Sequence, residues 1–555
     1  MTKATGRPVP QPSLASREYW ASGSDGVLRV QRCADCGSYQ MPPMPRCRSC
    51  RGEKVSFTPV SGAGTVIGVS VNHQQWLPSL PPPYTIANVA LDEDDGCRIT
   101  TNVVNCPPSD VRVGTRVRVL FEELDDGIWL PLFEPVPLAE GGGDDGPQPE
   151  IRDYRAALRA PASARKPEDE VALTGVGQSR VGRRLMTDPI ALTIEATLSA
   201  IEDAGLTLAD IDGICSYPGN LPHGMSEGGI SALVEALQLT PTWINGGGET
   251  PGQIGSIMNA MMAVASGMAR HVLCFRTVWQ ATHAELARSG FWKESSGRAE
   301  GVMSEYRLPY GAVSASSWIG MAASQYLHRY GRTREEVLAP VALTARANAA
   351  ANPEAVYRDP LTLDDYVNAR MVSTPFGLYD CDVPVDGAVA IIVSAKETVG
   401  DLRSTPVYVE AIGTQIMERL SWDQDTFTHL PQTLGPAAHL WSRTDLTPDD
   451  IDIAELYDGF TFNAVSWFEA LGFCGFGEAA DFFEGGKAIA IDGRLPLNTH
   501  GGQLSAGRLH GYGFVREAML QLRGEAPGLQ VPHARTAVVS AGGGVPSGAM
   551  LLRRD

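Results

Sequence analysis

Residues 498–514 read NTHGGQLSAGRLHGYGF. Glycine recurs through the stretch, which permits positive φ and lets other backbone or a ligand approach closely. Among the glycines stand His500, Arg508, His510 and Tyr512, side chains that hydrogen-bond or move protons. The stretch is not a dinucleotide fingerprint, because it lacks G-x-G-x-x-G between a strand and a helix with an acid downstream; the same holds for SAGGG at 540–544. Two readings stay open at this level. Such loops serve the tight turns of any α/β fold, or their backbone N–H groups face the oxygen of a bound ligand.

The surroundings favour a large α/β domain. HVLCF (271–275), AVAIIVSA (388–395) and TAVVSAGGG (536–544) are short, almost wholly apolar segments, as expected of strands buried on both faces. ALTIEATLSAIEDA (191–204) has helical spacing and ends at Gly205. Upstream the pattern differs. GAGTVIGVSVN (62–72), YTIANVALDE (84–93), CRITTNVVN (97–105) and RVRVLFEEL (116–124) alternate apolar and polar residues between turn signals, predicting a small β-barrel. Residues 138–169, rich in glycine, proline, alanine and charge, separate the two as a linker with one short helix in EIRDYRAALRA. The expected organisation is therefore 1–137, with an N-terminal helix ahead of the barrel; 138–169; and 170–555.

At 555 residues the chain exceeds one core. Its 64 acidic against 45 basic residues, net −19, argue against nucleic acid as a partner. No apolar run is long enough for a membrane span and the N-terminus lacks an apolar signal core, so a cytoplasmic protein is expected. Six of the ten cysteines lie scattered among apolar neighbours as reduced core residues. The others, in CADCGSYQMPPMPRCRSC, place Cys33, Cys36, Cys47 and Cys50 as two C-x-x-C pairs ten residues apart. Two such knuckles supply the closed four-sulfur set of structural zinc, with no position left for a catalytic water.

REYW (17–20), the cysteine stretch and VSGAGTVIGVSVNH (60–73) resemble the zinc-ribbon and OB-fold proteins that accompany acyl-CoA thiolases, over roughly residues 15–137. In that family the module is a partner or scaffold and helps to hold the acyl-CoA. From Glu170 onward the chain resembles the lipid-transfer-protein branch of the thiolase superfamily, through VALTGVGQSRVGR, IEATLSAIEDAGLTLADIDGICSYPG, ASGMARHVLCF, YDCDVPVDGAVAIIV, ELYDGFTFNAV, the loop quoted first and VVSAGGGVPSGAMLL. The resemblance implies a five-layer α/β/α/β/α domain that dimerises.

Thiolases need a nucleophilic cysteine, a second cysteine that moves a proton, and an activating histidine. Where the first belongs stand Glu249 or Thr250; where the second belongs, Ser540 and Ala541; where the histidine follows glycine, Arg508. Thr250 as a substitute nucleophile, or Glu249 as a base, are open alternatives. Loss of cysteines removes acyl-enzyme chemistry but leaves enolate chemistry possible, and retro-aldol cleavage of a β-hydroxyacyl-CoA needs neither free CoA nor a covalent intermediate. That is the activity of the lipid-transfer-protein aldolases of steroid side-chain degradation. Their two catalytic tyrosines correspond to Tyr457 and Tyr512, with Asp458 and His510 beside them; Arg508, Gly543 and Gly544 are candidates for holding the acyl-CoA. Asp458 alternatively caps the following helix, and His500 and His533 read as structural. The expectation is an aldolase with structural zinc, acyl-CoA as substrate, a homodimer and an enoyl-CoA hydratase as partner. An acyltransferase with an unconventional nucleophile and a non-catalytic acyl-CoA scaffold are the rivals.

Overall fold

The computed structural model describes residues 6–124, 127–136, 157–161, 163–219, 226–291, 302–419, 423, 433–542 and 547–555. Strands β1 (Arg29–Cys33), β2 (Tyr39–Gln40) and β3 (Val55–Pro59) form an antiparallel sheet in the order β2-β1-β3. Both cysteine turns close on a left-handed residue: Gly37 N–H donates to the Cys33 carbonyl at 2.9 Å and Arg51 N–H to the Cys47 carbonyl at 3.0 Å. The barrel follows as β4 (Ala63–Asn72), β5 (Tyr84–Leu91), β6 (Asp94–Thr101), β7 (Arg116–Glu123) and β8 (Trp129–Pro135). β4 pairs with both β5 and β7, β5 with β6, and β7 with β8, while a bridge from Val103 to Phe133 draws the far edges together.

The large domain contributes β9 (Val171–Gln178), β10 (Gly213–Ser216), β11 (Trp243–Gly246), β12 (His271–Trp279), β13 (Met371–Ser373), β14 (Phe376–Gly377), β15 (Asp386–Ala395), β16 (Val407–Gly413), β17 (Ile453–Glu455), β18 (Thr536–Ala541) and β19 (Gly548–Arg553). Nine of these run β11-β10-β12-β15-β9-β16-β19-β18-β17. Apart from the edge strand β11, the two halves repeat one arrangement. The parallel pair β10–β12 has its counterpart in β17–β18, and the antiparallel run β12–β15–β9 in β18–β19–β16. The halves join where β9 pairs antiparallel with β16. This internal duplication is not apparent in the sequence, because a repeated fold needs only repeated apolar patterning.

Helix Pro189–Ala204, capped by Asp188 and ended by left-handed Gly205 as expected, packs its apolar face on the first half, with helix Gly229–Leu237 beside it. Helices Gly255–Ala265 and Tyr512–Arg523 fill the layer between the halves, and Leu434–Trp441 covers the far face of the second. The five-layer arrangement follows from strands that are apolar on both faces and must be covered on both.

The modules are stitched together. β13, with β14 beside it, extends the barrel sheet by pairing Ser373 with Asn72; Val71 N–H donates to Thr374 Oγ1 at 2.7 Å, and Thr374 N–H returns a bond to the Val71 carbonyl at 3.0 Å. Trp20, from a short helix Arg17–Ala21, stacks on Tyr306 at 5.3 Å, and Ser16 donates to Glu305 at 2.5 Å. The end of the expected linker is docked rather than free. Glu168 has a fully buried carboxylate held by Arg443 through two bonds of 2.7 and 2.6 Å. The helix expected in 150–160 lies mostly outside the described residues.

Candidate active site

β17 ends at Glu455, and the chain turns through Leu456, Tyr457 and Asp458 before helix Thr461–Ala470. Asn498 clamps this turn: its side chain accepts from Leu456 N–H at 2.7 Å and donates to the Leu456 carbonyl at 2.9 Å and to Asp458 Oδ2 at 3.0 Å. Gln503 N–H donates to Asp458 Oδ1 at 2.8 Å. Asp458 therefore ties the turn to the glycine loop and is not the helix cap; Phe460 holds the cap position, and its N–H donates to the Asn463 side chain within the first turn at 2.6 Å. Burial pushes the Asp458 carboxyl up to about 7, against the pull of its Gln503, His500 and Asn498 neighbours. Gly502, at φ 58°, is forced here: a Cβ would stand 1.9 Å from Asp458 Oδ2.

Tyr457 donates its backbone N–H to Ser540 Oγ at 2.9 Å, so Ser540, one of the two residues expected at the second cysteine position, helps to build the turn. The Tyr457 ring is buried. Desolvation raises its phenol to about 12, while the nearby Arg508 guanidinium and Gln503 side chain pull it down. Arg508 pairs with Asp382 at 2.9 Å and donates to Gln280 at 3.1 Å; its Nη2 also meets His510 Nε2 at 2.8 Å. The other ring nitrogen of His510 faces Arg276 Nη2 at 2.7 Å. Burial first, then the two guanidiniums, holds the His510 pKa well below its usual value. His510 is thus a neutral spacer between two arginines. Arg276, itself fully buried, lies over the Tyr217 ring at 5.5 Å and within electrostatic reach of both Tyr457 and Tyr512.

Tyr512 opens its helix beneath the loop. Its hydroxyl meets Ser256 Oγ at 2.5 Å, and burial raises its pKa well above that of a free phenol. The two tyrosines thus face different polar partners, Arg508 and Gln503 for one and Ser256 for the other. Thr250 is buried with its hydroxyl donating to the Gly252 carbonyl at 2.6 Å, and Glu249 is exposed. Cys215 and Cys274 lie close to Tyr512, but burial lifts Cys215 to about 12 and Cys274 well above the usual thiol value. Both remain thiols, not nucleophiles. His500 pairs with Glu455 at 3.2 Å within the core, and His533 is exposed. Gly543 and Gly544 lie outside the described residues.

Arg276, Asn498, Gln503 and Asp382 were not singled out from sequence. Only Arg276 carried a signal, as a charge interrupting the buried strand HVLCFRTVW (271–279), where an unpaired cation is costly.

Residues 20–56 match the family described as the ChsH2 rubredoxin-like zinc ribbon domain, 57–122 the ChsH2 C-terminal OB-fold domain, and 422–552 the thiolase C-terminal domain-like family. A 17-hydroxy-3-oxo-4-pregnene-20-carboxyl-CoA lyase of Mycobacterium tuberculosis is 32% identical over 390 residues, covering 69% of this chain and 99% of its own. A steroid side-chain-cleaving aldolase of Thermomonospora curvata is 32% identical over 389 residues, covering 69% and 98%. The chain belongs to the aldolase branch of the thiolase superfamily. The solved Ltp2-ChsH2(DUF35) aldolase agrees, with a TM-score of 0.62 and 32% identity over 70% of this chain and 98% of that one. This thiolase-superfamily aldolase is an enzyme, a carbon-carbon lyase of the retro-aldol kind, with a zinc-ribbon and OB-fold module in the same chain.

In the aldolase's ribbon, Cys33, Cys36, Cys47 and Cys50 bring their sulfurs within 4.8 Å of one another, with 3.6 Å between Cys33 and Cys50 and 3.5 Å between Cys36 and Cys47. A tetrahedral ion with Zn–S bonds of about 2.3 Å requires edges of about 3.8 Å, so the donor set fits zinc. No helix among the described residues is long and apolar enough to cross a membrane.

Proposed function

We propose that this aldolase cleaves a β-hydroxyacyl-CoA of the steroid side-chain type to a ketone and a shortened acyl-CoA without a cysteine nucleophile. The observation that carries this reading is the buried Tyr457 phenol set beside the Arg508 guanidinium, where the thiolase histidine and cysteine positions hold Arg508, Ser540 and Ala541. The relatives named for steroid side-chain cleavage support the substrate class.

In the step proposed, Tyr457 takes the β-hydroxyl proton, favoured as phenolate by Arg508. The O–H electrons become the ketone C=O bond, the Cα–Cβ bond breaks, and its pair becomes the thioester enolate. Protonation at Cα closes the balance. Tyr512, which burial raises well above a free phenol while Tyr457 reaches about 12, keeps its proton more firmly and is the donor, with Ser256 behind it. Asp458 and neutral His510 hold the loop and space the arginines, and Arg276 stabilises the negative charge that develops between the tyrosines. Arg508, with Gly543 and Gly544 as the sequence candidates beside it, is assigned to holding the acyl-CoA. Zinc, held by the four cysteines, keeps the ribbon folded. The resemblance implies a homodimer through the large domain, and an enoyl-CoA hydratase is the candidate partner.

The test is incubation of the purified protein with a tertiary β-hydroxyacyl-CoA bearing a steroid ring system, without added CoA. Ketone and shortened acyl-CoA are expected, with no adduct on the protein by mass spectrometry. Tyr457→Phe should lower kcat by about 10²–10⁴, the range of general acid–base catalysis, with substrate binding retained. An acyl adduct on Thr250 would replace this reading with acyltransfer, and turnover unchanged in Tyr457→Phe would remove the tyrosine from the mechanism.

A further inference from the structure

A cavity of about 680 Å³ lies at the junction of the two modules, lined by residues of both. Cys381–Pro384 lines it and is bonded to the active-site loop: Val383 N–H donates to the Gln503 carbonyl at 3.0 Å and Arg508 N–H to the Val383 carbonyl at 3.0 Å. Asp382 in this segment is the partner of Arg508, which reaches Tyr457. The barrel contributes Gln74 and Trp76, just beyond the end of β4. That part of the lining is fixed in place. His73 N–H donates to the Val372 carbonyl at 3.0 Å, Gln74 Nε2 to the Met371 carbonyl at 3.1 Å, and Arg370 to Gln74 Oε1 at 3.1 Å. Trp76 is held by its indole N–H on Asn72 Oδ1 at 2.8 Å.

Trp76 and Leu378 are large apolar side chains left 39% and 40% exposed on this lining, and Val372, Pro384 and Leu504 continue the apolar surface. The lining charges cancel, with Arg183, Arg346 and Arg370 against Asp359, Asp365 and Asp382, so the cavity does not offer the net positive charge that a nucleotide diphosphate requires. The volume suits a ligand of several fused rings, within the roughly 300–1,000 Å³ of small-molecule sites.

We propose that this inter-module cavity holds the ketone-forming, ring-bearing half of the substrate, and that Trp76 of the barrel is a specificity-determining residue for it. The inference rests on the retro-aldol reading for the identity of the ligand. In consequence the N-terminal module takes part in substrate selection, and large rigid acyl groups depend on it where small ones do not.

The test uses the full chain, loaded with its metal, and two probes measured separately by equilibrium binding: a tetracyclic steroid ketone lacking CoA, and free CoA. Trp76→Ala is expected to weaken the ketone at least fivefold and leave CoA within twofold; Leu378→Ser, on the part of the lining from the large domain, serves as a second variant with the same expectation. Failure of the wild type to bind the ketone saturably, a ketone affinity unchanged in both variants, or an equal loss of CoA affinity would overturn the assignment. Turnover of a small β-hydroxyacyl-CoA separates the two claims. If wild type binds the ketone in a Trp76-dependent way yet cleaves no β-hydroxyacyl-CoA, the catalytic reading fails and the ring site stands.

Discussion

Gly502→Ala puts the loop geometry to a quantitative test. The added methyl acts in two ways. The backbone at φ 58° is left-handed, which costs a side-chain-bearing residue about 1–2 kcal/mol. The Cβ would also lie 1.9 Å from Asp458 Oδ2, so the carboxyl must leave the Gln503 N–H and Asn498 amide that now hold it at 2.8 and 3.0 Å. Hydrogen bonds to a charged group contribute about 1.5–3 kcal/mol each, and Asp458 is charged for part of its population near neutral pH, so losing both costs about 3 kcal/mol or more. The sum is about 4 kcal/mol or more. Gly524→Ala is the matched control, since Gly524 has φ 78° with nothing within 4 Å of its would-be Cβ and should lose only the backbone share. The assay is urea unfolding of the two variants side by side at pH 7, comparing midpoints rather than absolute values because the chain has several domains. Loss of kcat should accompany Gly502→Ala alone, since Tyr457 sits on the displaced turn. A Gly502→Ala midpoint matching that of Gly524→Ala would refute the claim that Asp458 locks the loop.

Three further outcomes are expected. Asp458 has a folded pKa near 7 against an ordinary value of 3.8, so the native state binds its proton more tightly and loses stability as pH rises between about 4 and 7, by at most about 4 kcal/mol at 1.36 kcal/mol per unit. Asp458→Asn should therefore gain on wild type as pH increases through that window, and paired unfolding at pH 5 and 7.5 reads the difference. Metal analysis should find one zinc per chain, and Cys47→Ser or a strong chelator should unfold the ribbon, seen as new proteolytic cleavage within residues 29–59, while the large domain keeps its circular dichroism. Glu168→Gln breaks a buried bidentate pair and should cost about 3–5 kcal/mol, detected by denaturation and by faster proteolysis at the end of the linker.

What the sequence made legible follows from how locally each feature is encoded. The cysteine quartet was readable because four ligands within eighteen residues carry their geometry in their spacing. The strands at 271–279, 386–395 and 536–541 were readable from apolar runs, and helix Pro189–Ala204 from its period and its terminal glycine. Asp458 was ambiguous for a physical reason. A carboxylate just ahead of a helix satisfies the local cap pattern, and only the long-range contacts to Asn498 and Gln503 decide otherwise. Arg276 and Asp382 reach the site from distant parts of the chain, so no local pattern groups them with Tyr457. The joining of the modules was hidden for the same reason: β13 and β4 are some 300 residues apart, and a three-residue strand has no signature of its own.

The pairing of β13 with β4 changes how this aldolase responds to dilution. The curated relatives are matched over nearly their whole length by 69% of this chain, so the rest of it has no counterpart within them. Where two chains must meet across such a seam, their union obeys mass action and weakens as the protein becomes scarce. Here the seam closes within one molecule, at an effective concentration on the order of millimolar for two modules joined in one chain. A seam too weak to hold two free proteins together in a cell at low abundance would still be shut almost all of the time, and the stoichiometry of barrel to catalytic domain would be one to one at any level of expression.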